Sequence, residues 1–216
     1  MKTLTKDAQA AITPKMALDL LKEGNKRFIN NLKVNRNLLQ QANETSEGQY
    51  PFAVILSCID SRTSVELIFD QGLGDLLSIR IAGNIINADI LGSMEFGCKV
   101  LGAKIIVVLG HTKCGAIKGA CDHFKMGNLT TLLNKIEPAV NDEITVTENR
   151  NSHNDDFVEK VSAINVKRTV NIIMDTSPIL KELILNGSIG IIGGNHDIAL
   201  GEVSFYDETL ALITSE

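Results

Sequence analysis

The run Pro51-Phe52-Ala53-Val54-Ile55-Leu56-Ser57-Cys58 is almost continuously apolar and then breaks off into small and polar residues. A strand buried on both faces reads this way, because a parallel strand covered by helices has no wet face to alternate with. Asp75–Ile81, Lys104–Gly110 and Ser188–Gly193 repeat the pattern, and Thr63–Gln71, Ala88–Leu101 and Gly115–Lys125 have helical character. Strands alternating with helices imply βαβ units and a mostly parallel sheet, and right-handed crossovers place helices on both faces. The fold class predicted is α/β: a mostly parallel central sheet flanked by helices.

Toward the amino terminus, Thr13-Pro14 offers an N-cap hydroxyl followed by proline at the first helical position. Ala17, Leu21 and Phe28 then share a face, with Asp19, Lys22, Glu23 and Lys26 elsewhere. Some twenty polar residues, Asn30 to Gln49, separate this helix from the first strand. Residues 1–49 are therefore expected to form a helical arm and linker, ahead of an α/β domain over residues 50–216. The arm could pack on a neighbouring copy or fold back on its own subunit. Toward the carboxyl terminus, Glu143–Asp156 is polar and aperiodic, as a surface loop would be. Helical character resumes through about Met174, and Ser177-Pro178 opens one more helix that Asn186-Gly187 closes. Gly201–Phe205 is a candidate C-terminal edge strand.

With 216 residues the chain can bury one sizeable core, and 44% hydrophobic and 22% charged content is ordinary for a globule. A net charge of −5 with no Lys/Arg run longer than two argues against a nucleic-acid partner, which needs a concentrated basic patch. Apolar stretches such as Ile105–Leu109 are too short to span a bilayer, so no membrane partner is expected. Met1 leads into Lys2-Thr3-Leu4-Thr5-Lys6-Asp7 without an apolar segment, which predicts a cytoplasmic protein, or a periplasmic one if a signal has been removed. Four cysteines (Cys58, Cys98, Cys114, Cys121) are too sparse for a disulfide scaffold, leaving metal or catalytic chemistry as the reason for any that matter.

Two short motifs carry chemistry: Cys58-Ile59-Asp60-Ser61-Arg62 and His111-Thr112-Lys113-Cys114. Each stands at the carboxyl end of a predicted strand, the edge where open α/β sheets bind ligands. Thiolate and imidazole are the donors zinc favours, and a two-residue loop lets His111 and Cys114 reach one ion. While the chain stays extended, Cys58 and Asp60 share a face, and Arg62 follows if the backbone has not turned. Three nitrogen and sulfur donors would leave a fourth position for water or for Asp60, the pattern of a catalytic rather than a structural site. On the residues alone, a strand-end cysteine is as readily a small buried hydrophobe, so both readings stand.

The two motifs together resemble the paired signature of β-class carbonic anhydrases. The resemblance extends through Phe69-Asp70-Gln71-Gly72, Gly74-Asp75-Leu76, Arg80-Ile81-Ala82-Gly83-Asn84 and the strand Ile105–Gly110, and the stretch Ala17–Phe28 resembles the arm helix of bacterial members. It covers residues 14 to 125 closely and the rest more loosely. It implies an enzyme that hydrates carbon dioxide to bicarbonate, with one Zn(2+) per chain in a catalytic domain over residues 50–216 and assembly as a homodimer or homotetramer. Cys58, His111 and Cys114 correspond to the zinc ligands. Asp60 and Arg62 correspond to a catalytic pair in which Asp60 either bonds Arg62 and the zinc's water or becomes the fourth ligand. Gln49 falls where one branch of the family keeps a glutamine that donates to substrate. The other branch has a tryptophan of a bicarbonate regulatory pocket where this chain has Ile55, so no such regulation is predicted although Arg80 is retained. Thr63-Ser64, Leu77 and Phe96 also depart from common family residues, which bears on pocket polarity and rate rather than on metal binding.

Two rival functions stay open at this level: a zinc hydrolase acting on carbonyl sulfide or carbon disulfide, and a non-catalytic zinc-stabilised domain. The Asp60–Arg62 pair argues against the second, since a purely structural site has no need of it. Cys121 lies seven residues past Cys114, about 10.5 Å along a helix and too far to share an ion. Cys98 reads as core. His123, His153 and His196 are candidate proton relays by residue type, and none is assigned that role.

Overall fold

The computed structural model describes residues 3–211. Strands β1 (Ala53–Ser57), β2 (Leu76–Arg80), β3 (Ile105–His111), β4 (Gly190–His196) and β5 (Val203–Ala211) form one sheet in the order β2-β1-β3-β4-β5. The first four are parallel, and β5 returns antiparallel to β4 as the predicted edge strand. Because the chain steps from β1 outward to β2 and then back across to β3, the order reverses between β1 and β3. That reversal opens a crevice at their carboxyl ends. Ser57 and His111 are the last residues of those two strands.

Helices cover both faces, as the doubly apolar strands require. Ile55 of β1 with Ile105, Val107 and Leu109 of β3 face α2 (Pro14–Ile29) and α4 (Val65–Ile68), packing with Leu21, Phe52 and Phe69. Val54, Leu56, Ile106 and Val108 point the other way, onto α5 (Ala88–Glu95), α9 (Asp155–Thr176) and α10 (Pro178–Leu185). A third cluster sits beyond the carboxyl ends of the strands. It joins Cys58 and Cys114 to Ile117, Leu133, Ile136 and Phe157, using α6 (Gly115–Cys121), α7 (Gly127–Leu133) and α8 (Glu137–Asp142).

The amino-terminal helix α2 is a layer of this fold and lies against its own sheet: Ala17 and Leu21 are wholly buried. Two features seat it. Gly24 lets the backbone approach so closely that a Cβ there would lie 1.8 Å from the Phe69 carbonyl oxygen. Asp70, with its side chain 3% exposed, binds Arg27 of α2 at 2.6 Å and Arg36 of the linker at 2.5 Å. Burial alone would raise this carboxyl, but the two guanidinium groups outweigh it and hold it below the usual carboxylate range. The Gly24→Ala variant is therefore expected to lose about 1–3 kcal/mol, read as a fall in Tm of roughly 2–4 °C per kcal/mol.

The polar linker contains a short helix, α3 (Leu38–Glu44), started by the Asn37 side chain, and Lys6–Ala10 forms α1 behind Thr5. Predicted helix Ala88–Leu101 ends earlier as α5 and continues over Phe96–Val100 as a wider π turn. The Glu143–Asp156 loop is internally braced: Glu143 accepts from the Thr145 and Val146 amides, while Arg150 donates to the carbonyls of Val140, Glu143 and Val146. No helix among the described residues is long and apolar enough to cross a membrane.

Candidate metal centre

Cys58 follows the last residue of β1, His111 ends β3, and Cys114 caps α6, so the sheet's switch point gathers all three. Their donor atoms lie within 4.8 Å of one another, and the two sulfurs are 3.9 Å apart. All three residues are buried. The donor set fits a zinc ion on chemistry internal to the site. The Nδ1 of His111 lies 2.9 Å from the Thr112 carbonyl oxygen, which can only accept, so Nδ1 carries the proton. That leaves a lone pair on Nε2, which is buried and has no hydrogen-bond partner. A metal-ligating histidine is oriented in this way, by a bond from its other nitrogen.

Backbone amides are directed at both sulfurs. Cys58 has its pKa lowered, chiefly by the hydrogen bond from Cys114 and then, against burial, by the amides of Gly83 and Asp60. Cys114 receives the amides of Ala116 and Ile117 at the start of α6, although its bond to Cys58 and its burial hold that proton on in the metal-free pair. Two thiols this close share one charge until a cation accepts both.

Asp60, expected either to pair with Arg62 or to become the fourth ligand, lies outside this cluster and pairs with Arg62. The backbone turns after Ser57, so Asp60 and Arg62 belong to a loop and not to an extended strand. Arg62 donates from Nε and from its amide to Oδ1 at 2.9 and 3.0 Å, and from a terminal nitrogen to Oδ2 at 2.7 Å. That side-chain bond holds the Asp60 carboxyl far below the usual carboxylate range, outweighing the opposing effect of burial. Asp60 and Cys58 open onto a cleft of about 380 Å³, otherwise walled mostly by apolar or small residues including Ala82, Ala116, Phe124 and Leu129.

Gln49 is exposed and stands ahead of β1, at its amino end, whereas Cys58 follows its carboxyl end. Some 13 Å of strand separates the two ends, so the structure does not bring Gln49 to the cluster. Cys98 and Cys121 are buried apart from the donor set, and burial pushes their thiols up to about 12 and about 11. His123 pairs with Glu137 at 2.8 Å, and His153 is exposed. His196 is the cross-strand partner of His111. Burial, with His111 beside it, lowers its pKa to about 4, so it is a neutral ring at neutral pH.

Two residues at the site did not emerge from sequence reasoning as parts of it. Arg80 donates to the carbonyls of Cys58 and Asp60 at 3.0 and 2.6 Å, and the Thr63 hydroxyl lies 3.2 and 2.9 Å from the same two oxygens. Together they pin the loop that carries Cys58 and Asp60. The available signal was the strand register, which sets Arg80 beside Ser57, and register is not visible in one sequence.

Residues 53–203 match the family model described as carbonic anhydrase. The chain is 34% identical to carbonic anhydrase 2 of Mycobacterium tuberculosis over 200 residues, 90% of this chain and 93% of that protein. The chain belongs to the β-class carbonic anhydrases. Among solved structures, this carbonic anhydrase is similar to the β-carbonic anhydrase CcaA, with a TM-score of 0.69 at 29% identity over 88% of this chain and 95% of that one. It shares its fold with a tetrameric β-carbonic anhydrase of Sordaria macrospora, with a TM-score of 0.66 at 23% identity over 77% and 89% of the two chains. The carbonic anhydrase signature residues thus occupy a switch-point crevice whose donor set suits a borderline-soft cation.

Proposed function

We propose that this carbonic anhydrase catalyses the reversible hydration of carbon dioxide to bicarbonate and a proton, with one zinc ion per chain held by Cys58, His111 and Cys114. Residues 50–216 form the catalytic domain, with residues 1–49 as an arm clamped onto it. The observation that carries the reading is a buried cluster of three donors, Cys58, His111 and Cys114, whose Cys58 opens with the ionised Asp60 onto one largely apolar cleft. Zinc bound there supplies a Lewis acid that brings the pKa of a coordinated water from about 15.7 down toward 7.

The chain's own residues do the rest. Thiolates donate more charge than imidazole and would oppose that acidification. The amides directed at both sulfurs moderate their donation. Asp60 Oδ1 already accepts two bonds from Arg62, whereas Oδ2 accepts one and keeps a lone pair. That lone pair accepts the hydrogen bond of a water on the open side of the cluster and turns the water's own lone pair toward carbon. Arg62 fixes the carboxylate and keeps it anionic, so Asp60 is always an acceptor. The apolar walls favour entry of a small nonpolar molecule, and bicarbonate, once formed, leaves toward solvent.

Because Gln49 stands at the far end of β1, a substrate role for it requires a Gln49 contributed by a second copy. We therefore propose a homodimer or homotetramer, which the tetrameric Sordaria relative supports. The test is stopped-flow hydration of carbon dioxide between about pH 6.5 and 9, run beside carbonyl sulfide on the same preparation. The rate on carbon dioxide is expected to rise with pH. Since Asp60 ionises far below that range, the rise reports the water and not the carboxylate. A rate that falls as pH rises, or a preference for the sulfur compound, would contradict the assignment.

A further inference from the structure

Lys113 lies between the two donors of the His111–Cys114 loop and adopts a φ of 57°, the left-handed region that a residue with a Cβ avoids. The loop is held from two sides. On the sheet side, the Thr112 amide donates to the His196 carbonyl at 3.0 Å and the Thr112 hydroxyl accepts from the Ile198 amide at 3.1 Å. On the helix side, the Lys113 amide donates to Glu159 Oε1 at 2.8 Å. Glu159 sits on α9 beside the wholly buried Phe157, Val158 and Val161, so its carboxylate projects from a helix anchored in the core. We propose that Glu159 is a positioning residue of the metal centre: it holds Lys113 in the left-handed turn and thereby sets the separation of His111 and Cys114. Without that acceptor, Lys113 relaxes toward negative φ and carries Cys114 away from the imidazole. Partners that orient ligands from behind in this way typically change metal retention about 10- to 100-fold.

The inference rests on the zinc reading above, and its test separates the two. Zinc release to a chromophoric chelator is followed for the wild-type chain, E159Q, E159A and E159A combined with K113G. Cobalt(II) absorption spectra and thermal unfolding of the metal-free forms accompany it. E159A is expected to release zinc about tenfold faster or more, with an altered cobalt spectrum. E159Q should stay close to wild type, because its amide oxygen still accepts. K113G should recover most of the loss, since glycine adopts this φ without penalty. If E159A does not fold, E159D, whose carboxylate is too short to reach, provides the same contrast with E159Q. Wild-type release from E159A, equal release from E159Q and E159A, or no recovery with K113G would overturn the inference. So would a loss of metal-free stability that accounts for the whole effect. A wild-type chain that binds no zinc would overturn the metal reading itself, whatever the variants do.

Discussion

Replacing Cys58 by serine is expected to reduce zinc from about one per chain to almost none and to abolish carbon dioxide hydration. Serine is nearly isosteric, so the crevice between β1 and β3 survives, but its hydroxyl does not ionise near neutral pH and is a poor zinc ligand. The remaining donors, His111 and Cys114, are two where three are needed to retain an ion against buffer. Cys121→Ala is the control. Cys121 is as buried as Cys114 yet stands outside the donor set, so this variant should keep its zinc even if it loses some stability. Zinc content measured by atomic absorption on both variants decides the matter. A Cys58→Ser chain that keeps a full complement of zinc would remove Cys58 from the site.

Asp60→Asn is expected to keep its zinc and lose activity by a factor on the order of 10². The side chain keeps its size and one acceptor oxygen. Arg62, however, demands both acceptors at 2.9 and 2.7 Å, and asparagine must turn an NH2 either toward the guanidinium or toward the reacting water. An NH2 in place of Oδ1 faces two Arg62 donors and breaks the fork that fixes the side chain, and an NH2 in place of Oδ2 removes the lone pair that accepts from the water. The same charge relation predicts how the pair responds to acid. A carboxyl whose folded pKa is depressed stabilises the fold above its unfolded pKa and loses that contribution only as pH falls through the lower value. The Asp60–Arg62 pair therefore stays intact across the neutral range. Full activity with full zinc would end the acceptor role, and loss of zinc would make Asp60 a ligand.

The parallel sheet was readable because β1 and β3 are buried on both faces and their apolar runs are uninterrupted. The donor triad was readable because two short motifs each end such a run. What escaped was decided by tertiary contacts. The seating of α2 depends on Gly24 meeting Phe69 and on Asp70 meeting Arg27 and Arg36, pairs that are distant in sequence. The polar α3 buries little, so it carries no apolar period to betray it. Residues 126–142 fold into α7 and α8, each too short for a periodic signal. The pairing of Asp60 with Arg62 was one of two readings open in the sequence, and the turn that favours it is held by Thr63 and Arg80, which bind the Asp60 carbonyl. Gln49 precedes β1 and so lies at its amino end, and whether a second copy brings a Gln49 to the cluster is set by assembly, which one sequence does not encode locally.

The most direct test of the central claim is stopped-flow carbon dioxide hydration on one preparation stripped of metal and then titrated with zinc. The expected result is activity that grows in proportion to bound zinc and levels off at about one ion per chain. Full zinc occupancy without hydration, or hydration that does not depend on bound zinc, would contradict it.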